Sequence, residues 1–448
     1  MGSDFETAFK TLRSSVAEGR AENHLRENAE LLCEAIAKDY AGSPIKAETE
    51  FFLTMDAARG AYERLDFDKS LKEEYSVKFG KDNSERRAAL GLVAIRPSTH
   101  SRFYSTVTPL VAALEAGNCV IIELDLISSC VDSLLSEILP RALDRDTFHI
   151  SKVKLDSKWA DQLDLTIDQS AVQGRTICIL DRTGDIEFAS QTITASKLPP
   201  EYTSPYSPDL VLVNEYLVSN FRTRCLEIAS KVQTSPKRVI SDGEKDFQKL
   251  LKEAEAKKAI IVHRSNTSDF SAVELKKGSS KLATIKVKGP YLLFLPTTGI
   301  VDSVNSQRSL PPLLASYIFA SPAASKFIAE QVPSHATYIN QIPSQILVGP
   351  ASLVNYPHAL HPRFTSNMLS TPRPQFITPP TPLPTASKLK ELALKPLKPT
   401  GQRPGHAIGF FEPGILLGLG STAIVVLPFL VWSLVSAVNY GMRYLRQT

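Results

Sequence analysis

The chain has 448 residues, a length typical of two or three domains. Hydrophobic residues make up 43% and charged residues 22%, which is the balance of a packed globular protein and excludes wholesale disorder. The 51 basic and 47 acidic residues leave a net charge of +4, too small an excess for a nucleic-acid partner, so none is expected. The five cysteines form no CxxC pair, which argues against a zinc ribbon or a disulfide framework and favours a reducing compartment.

The N-terminal part of the chain is predicted to be helical. Apolar residues recur there three or four positions apart in two groups, as on the buried face of a helix. The groups are Phe5, Phe9, Leu12 and Val16, and then Leu25, Leu32 and Ile36.

Between residues 88 and 345, apolar runs of strand length are separated by helical patterns. These runs are rich in Val and Ile and do not alternate with polar residues, which is typical of strands buried on both faces of a parallel sheet. They are LGLVAI (90–95), CVIIEL (119–124), TICIL (176–180), DLVLV (209–213), IIVH (260–263) and YIFAS (317–321). Strands that alternate with helices predict an α/β fold.

Residues 413–442 are predicted to form a membrane anchor, because no charged residue occurs among them. The apolar core begins at Ile415 and ends at Val438, and its 24 residues are enough to cross the roughly 30 Å hydrocarbon layer as a helix. Pro428 is tolerated in such a helix. We therefore expect one C-terminal transmembrane helix, with the lipid bilayer as a partner.

The orientation of this anchor follows from its flanks. Only residues 443–448 come after it, which favours tail-anchored insertion with the bulk of the protein in the cytosol, at the endoplasmic reticulum, the peroxisome or the mitochondrial outer membrane. Basic residues before the span agree with this orientation. They are Lys388, Lys390, Lys395, Lys398 and Arg403, against Glu391.

The alternative topology is a helical hairpin broken at Pro428. The sequon at Asn266 would be glycosylated only in a lumenal body.

Residues 371–412 are predicted to be a proline-rich, basic linker. Nine prolines between residues 370 and 405 favour an extended, semi-rigid spacer that holds the body off the bilayer. A loop wrapped over the surface of the body is an alternative for residues 370–385.

The segment from residue 89 to residue 125 resembles the aldehyde dehydrogenase superfamily. Members of that superfamily carry a strand, a Trp-Asn-Tyr-Pro turn, a helix that ends in Ala-Gly-Asn and a strand that leads to Lys-Pro-Ser-Glu. Here the helix contains Pro109 and ends in Ala-Gly-Asn at residues 116–118. The resemblance extends over residues 5–370, and the C-terminal anchor is most similar to that of the microsomal and peroxisomal fatty aldehyde dehydrogenases.

The resemblance implies a fold and a division of the chain. We expect N-terminal helices and a Rossmann-type cofactor domain over residues 1–190, and an α/β catalytic-type domain over residues 191–370. The linker and the single transmembrane helix follow.

The resemblance also implies a mechanism, in which a thiolate attacks an aldehyde, an amide stabilises the oxyanion, a carboxylate activates water and a hydride passes to NAD or NADP. Pro205 falls at the position of the thiol. His100 replaces the amide, and Asp181 matches the carboxylate. Cys225, in a helical stretch, is a weak candidate for a displaced thiol.

The positions that would hold the cofactor are altered as well. Glu123 stands where the resemblance implies a lysine for the adenosine ribose, and Lys286 where it implies a glutamate for the nicotinamide ribose. The glycine-rich phosphate loop expected between residues 160 and 175 retains only Gly174. If a cofactor binds, the resemblance implies NAD or NADP.

These substitutions favour a membrane-anchored pseudoenzyme that serves as a scaffold or accessory subunit, as a homodimer or paired with an active homologue. The alternative is an active, divergent oxidoreductase that oxidises lipophilic aldehydes, in which Cys178 or Cys225 would be essential. No metal site is expected, because His358 and His361 lie between prolines and have no third ligand nearby.

Overall fold

The computed structural model describes residues 20–39, 44–170, 174–199, 203–231, 240–265, 267–276, 281–350, 360–380, 382–401 and 411–445. The chain divides into two compact units. We call Met1–Pro379 the body and Pro380–Thr448 the C-terminal segment.

Four helices open the described part of the body. They are α1 (Arg20–Glu27), α2 (Ala29–Asp39), α3 (Pro44–Glu63) and α4 (Phe67–Glu74). Leu25, Leu32 and Ile36 are buried in the first hydrophobic core, as their spacing predicts. The earlier group, Phe5 to Val16, lies outside the described residues.

The first sheet has four parallel strands in the order β4-β3-β2-β5. Its strands follow the short β1 (Arg87–Ala89) and are β2 (Leu92–Arg96), β3 (Cys119–Glu123), β4 (Phe148–Ser151) and β5 (Leu165–Asp168). Helices α5 (Arg102–Glu115) and α6 (Cys130–Ala142) connect β2 to β3 and β3 to β4. Parallel strands need such crossovers, so their carboxyl ends all meet at one edge of the sheet.

The second sheet has seven strands in the order β12-β11-β6-β7-β10-β9-β8. The strands are β6 (Thr176–Leu180), β7 (Leu210–Asn214), β8 (Ile260–Arg264), β9 (Ser271–Leu275), β10 (Tyr291–Thr297), β11 (Ala315–Phe319) and β12 (Thr337–Ile339). The helices of this part are α7 (Ile186–Ala195), α8 (Val218–Ser230), α9 (Asp242–Ala256), α10 (Ile300–Asn305), α11 (Pro322–Gln331) and α12 (Ser344–Val348).

The predicted α/β fold is confirmed, and the six apolar runs all become strands. Every residue of β6, β7 and β11 is buried, as expected for central parallel strands. Strand β8 is different, because it pairs antiparallel with β9 at the edge of the sheet and is partly exposed.

The chain passes from the first sheet to the second between Asp168 and Thr176. Residue 190, the predicted domain boundary, instead lies inside α7. The division into a cofactor domain and a catalytic-type domain stays a prediction. The chain changes sheets before residue 190, through the seven residues that join β5 to β6.

The linker is shorter than predicted. Strand β13 (Ser370–Pro372) pairs with β1, and the backbone N–H groups of Ile377 and Thr378 donate to the Asp82 carboxylate at 2.8 Å. These hydrogen bonds tie residues 370–378 to the body, which agrees with the alternative of a loop wrapped over its surface. The C-terminal segment begins at Pro380.

The described residues of the C-terminal segment form helices α13 (Ala386–Leu394) and α14 (Glu412–Leu445). The stretch Glu412–Asn439 of α14 is long and apolar enough to cross a membrane, with a mean hydropathy of 2.3 and no part of it buried in the protein. This agrees with the predicted position of the transmembrane helix, including its core from Ile415 to Val438.

Candidate functional site

A three-residue ion network joins the carboxyl ends of β2, β3 and β5. Arg96 ends β2, and its guanidinium donates Nε to Glu123 Oε2 at 2.6 Å and Nη2 to Oε1 at 2.9 Å. Its Nη1 donates to Asp168 Oδ2, at the end of β5, at 2.7 Å. We call Arg96, Glu123 and Asp168 the strand-end network.

Glu123 is the buried centre of the strand-end network. Its side chain is 1% exposed, and it also accepts a hydrogen bond from the Leu155 N–H at 3.2 Å. The hydrogen bonds to this carboxylate raise the pKa of Arg96 above its ordinary value, so the pair stays charged. Both oxygens of this carboxylate accept hydrogen bonds from Arg96 or Leu155, at the position where the resemblance implies a lysine that donates to the adenosine ribose.

The next helix N-terminus along the chain is also engaged by the protein itself. Asp39 accepts hydrogen bonds from the N–H groups of Cys130 and Val131, at 2.9 and 3.2 Å, and from Ser129 Oγ at 2.7 Å. Ser129 in turn caps α6 by accepting from the Asp132 N–H. Helix N-termini attract anions, and here a carboxylate of the chain is the anion.

The connection from β5 to β6 cannot contain the phosphate-binding loop and helix that the family resemblance implies. Residues 169–175 are too few for both a glycine-rich turn and a helix. Gln169 fixes the start of this connection, because its amide donates to the Ser105 carbonyl at 2.7 Å. The residues present therefore do not fit a dinucleotide bound in the manner of the superfamily.

His100 is a buried histidine with both ring nitrogens engaged. Nε2 lies 2.7 Å from the Leu347 carbonyl, so this nitrogen carries the proton, and Nδ1 accepts from Thr203 Oγ1 at 2.7 Å. Burial lowers the pKa of His100 to about 4, against the opposing effect of the Leu347 hydrogen bond. The ring joins three distant chain segments and has no N–H left for an oxyanion.

The loop that contains Pro205 is held by Lys286 and Asp209. Lys286 Nζ donates to the Pro205 carbonyl at 2.6 Å and to Asp209 Oδ2 at 2.9 Å. The buried Asp209 also accepts from the N–H groups of Thr176 and Val287, at 2.8 and 3.0 Å. Lys286 thus supports the loop from the position where the resemblance implies a ribose-binding glutamate.

The hydroxyl groups beside Pro205 serve the same loop. Ser207 Oγ donates to the Ser196 carbonyl at 2.8 Å, and Ser204 Oγ accepts from the Tyr206 N–H at 3.2 Å. Within the described residues neither hydroxyl hydrogen-bonds to a histidine or a carboxylate, so neither has there the activating base that a serine nucleophile requires.

The two cysteines considered as displaced nucleophiles are both core residues. Cys225 lies in α8 and is fully buried, and burial raises its pKa to about 12 despite hydrogen bonding with Thr194 and Ser190. Cys178 lies in the central strand β6, where burial raises its pKa well above the ordinary value. Neither thiol is ionised at neutral pH, and the thiolate is the nucleophile in such chemistry.

Asp181 lies at the other end of β6 from the Pro205 loop. Its Oδ2 accepts from the N–H and the hydroxyl of Thr183, at 3.0 and 2.7 Å, which is an Asx turn. Thr176, the first residue of β6, contacts the Pro205 carbonyl. Five residues of strand at about 3.3 Å each separate the two ends by roughly 16 Å, too far for Asp181 to act on a group bound at residue 205.

The structure also contains a buried lysine that our sequence analysis missed. The Lys197 side chain is fully buried, and its Nζ has no hydrogen-bond partner within the described residues. Burial lowers its pKa to about 8, which nearby Asp209 partly opposes. Lys197 is the only charged residue between Glu187 and Glu201, in an otherwise apolar and hydroxyl-rich stretch, and that contrast was the available signal.

No metal centre is formed by the part of the chain that the structure describes, where no three His, Cys, Asp or Glu side chains are grouped. His361 instead contacts Tyr104 Oη and Asp56 Oδ2, at 3.0 and 3.2 Å. His358 and the sequon residue Asn266 lie outside the described residues.

Part of the chain is similar in sequence to known aldehyde dehydrogenases. No protein-family model matches the chain. Aldehyde dehydrogenase family 3 member B1 of Mus musculus is 32% identical over 157 residues, which is 32% of this chain and 32% of the relative. Family 3 member A2 of Pongo abelii is 21% identical over 272 residues, 52% of this chain and 54% of the relative. The chain's match to the first of these relatives thus spans about a third of that relative's length.

The fold agrees with these relatives. An NAD-dependent benzaldehyde dehydrogenase from Corynebacterium glutamicum superposes with a TM-score of 0.59 at 15% identity, over 83% of this chain and 90% of that one. The chain is similar in sequence to aldehyde dehydrogenases and has the aldehyde dehydrogenase fold, so the predicted resemblance is confirmed. That Pro205, Glu123 and Lys286 replace catalytic and cofactor-binding residues stays a prediction.

The strand-end network of this aldehyde dehydrogenase-like protein predicts the cost of removing its central charge. Glu123→Gln should lower the free energy of unfolding by about 1–3 kcal/mol, because the half-buried Arg96 loses its charged bidentate partner. Urea unfolding of the full chain in detergent would measure it. Glu73→Gln, in an exposed pair with Lys69, is the control and should change the free energy by less than about 1 kcal/mol. Equal effects of the two substitutions would contradict a structural role for Glu123.

His100 predicts a loss of stability in acid. Its pKa is about 4 in the folded protein and about 6.5 when unfolded, so the unfolded state binds more protons between these values. The neutral, buried histidine therefore contributes its full stabilising free energy above pH 6.5. As the pH falls towards 4, the free energy of unfolding drops by about 3 kcal/mol. Unfolding of wild type and His100→Gln at pH 7.5 and pH 4.5 would measure this. The difference in unfolding free energy between wild type and His100→Gln should change by about 3 kcal/mol between the two pH values. The same pH dependence in both proteins would refute the lowered pKa of His100.

Proposed function

We propose that this protein is a membrane-anchored pseudoenzyme of the aldehyde dehydrogenase superfamily, which acts as a scaffold or accessory subunit. The observation that carries the proposal is the bidentate Arg96–Glu123 pair at the carboxyl ends of β2 and β3. Ligands of open α/β sheets bind at that edge, and the pair fills it with a closed, charge-balanced contact.

The second support comes from the position of the nucleophile. Pro205 has no thiol, and its carbonyl accepts a hydrogen bond from Lys286. Because Cys178 and Cys225 are buried with raised pKa values, an alternative thiol would have to become both exposed and ionised. This argues against the alternative hypothesis of an active oxidoreductase for lipophilic aldehydes.

The proposal includes an anchor and an orientation. Helix α14 would span a bilayer, with the body on the cytosolic face of the endoplasmic reticulum, the peroxisome or the mitochondrial outer membrane. The support is the length and hydropathy of Glu412–Asn439 together with the lysines that precede it.

Cofactor binding and turnover test the catalytic part of the proposal. Calorimetry of the full chain in detergent with NAD and NADP should detect no binding at millimolar concentrations, because Glu123 and the short β5–β6 connection offer no site. Aldehydes of graded chain length should give no reduced cofactor, and Cys178→Ala and Cys225→Ala should behave like wild type.

An active family 3 aldehyde dehydrogenase in the same detergent is the matched control for this assay. Turnover by wild type that either cysteine substitution abolishes would establish the active oxidoreductase instead. Cofactor binding without turnover would refute the claim that the strand-end network closes the site, and would make the protein a cofactor sensor.

We further propose that the body pairs with itself or with an active homologue. Strand β12 supports this, because it is an edge strand of the second sheet and Ile339 at its end is 42% exposed. Exposed edges are common sites of pairing between chains. Light scattering in detergent should give the mass of two chains, either for the protein alone or for its mixture with the active homologue. A monomer under both conditions would refute the pairing.

A further inference from the structure

Helix α13 has two chemically different sides. Ala386, Leu389, Leu392 and Ala393 recur at three-to-four-residue spacing and share one face of the helix. Lys388 and Lys390 flank this face, one on each side. The helix is therefore amphipathic, with a narrow apolar face bordered by lysines.

Nothing in the described C-terminal segment covers the apolar face. None of the nine residues of α13 is buried, and Leu389 and Leu392 are 44% and 55% exposed. Isolated helices shorter than about 12–15 residues are marginal in water, because most helix stability in proteins comes from packing of the apolar face. A nine-residue helix therefore requires a surface against which this face can pack.

The net charge of residues 386–400 indicates which kind of surface α13 packs against. Residues 386–400 contain four lysines (388, 390, 395 and 398) and one glutamate (391), a net charge of +3. Anionic lipid headgroups attract such basic clusters near a membrane span. Seventeen residues separate Leu394 from Glu412, a tether that reaches at most about 60 Å, so α13 is confined near any bilayer that α14 crosses.

We propose that α13 is a membrane-surface helix, which packs Leu389 and Leu392 into an anionic phospholipid surface while its lysines contact the headgroups. Interfacial helices bind in this way through combined apolar burial and charge attraction. The inference rests on the proposed anchoring by α14. It also changes the expected role of the linker, because a docked α13 draws the body towards the bilayer instead of holding it away.

Hydrogen exchange of the full chain in nanodiscs tests this proposal. One set of discs contains phosphatidylcholine alone, and the other contains 30% phosphatidylserine. Amide exchange in residues 386–394 should be at least about tenfold slower in the anionic discs, and the difference should disappear at high salt. Exchange in residues 415–438 reports on the anchor and should be slow in both sets.

Variants separate the two components of binding. Leu389→Glu with Leu392→Glu, and separately Lys388→Glu with Lys390→Glu, should each abolish the protection of α13 and leave that of residues 415–438 unchanged. Leu383→Glu is the matched control, because Leu383 is 86% exposed and precedes the helix, and it should leave the protection intact.

The remaining outcomes each overturn the proposal in a distinguishable way. Fast exchange of residues 386–394 in both discs would mean that α13 does not dock. Equal protection in neutral and anionic discs would mean that a protein surface covers the helix, whether the body or a second copy. Fast exchange of residues 415–438 would refute the anchor itself, and with it the proposed location of the protein.

Discussion

The arrangement of the first sheet depends on one guanidinium, that of Arg96, held between two carboxylates. A carboxylate as buried as that of Glu123 is expensive to desolvate unless its charge is matched and its lone pairs are satisfied. Arg96 supplies both requirements and extends to Asp168, so the ends of three strands are tied at the edge where this class of sheet usually receives a ligand. The carboxyl-end edge of this sheet is thus occupied by contacts within the chain.

A similar set of internal contacts occurs in the second sheet. The buried Asp209 accepts three hydrogen bonds, and the one from the Lys286 ammonium is the strongest because its donor is charged. Lys286 also donates to the Pro205 carbonyl, so it holds the loop in which the resemblance places the nucleophile. Core packing and site chemistry are separable demands on a sequence, so a fold can be retained where the site residues differ.

Sequence patterns predicted those elements whose residues are apolar on both faces. Strands β6, β7 and β11 are buried throughout, so their Val- and Ile-rich runs were unambiguous. Strands β4 and β5 were not predicted, because FHIS and LTID mix polar and apolar residues, and β10 was obscured by Pro296. Such strands are specified by their neighbours in the sheet, and the chain by itself carries only a weak signal for them.

The sequence by itself determined the α/β fold, the resemblance to aldehyde dehydrogenases and the apolar C-terminal helix, because each depends on residue identity or on local periodicity. Only the tertiary structure decided what the substituted residues do. The folded chain pairs Glu123 with Arg96 and Lys286 with Asp209. It also places Asp181 a full strand length from Pro205 and buries Lys197. Partners brought together from positions 27 or more residues apart leave no local pattern, since burial and pairing are properties of the folded chain.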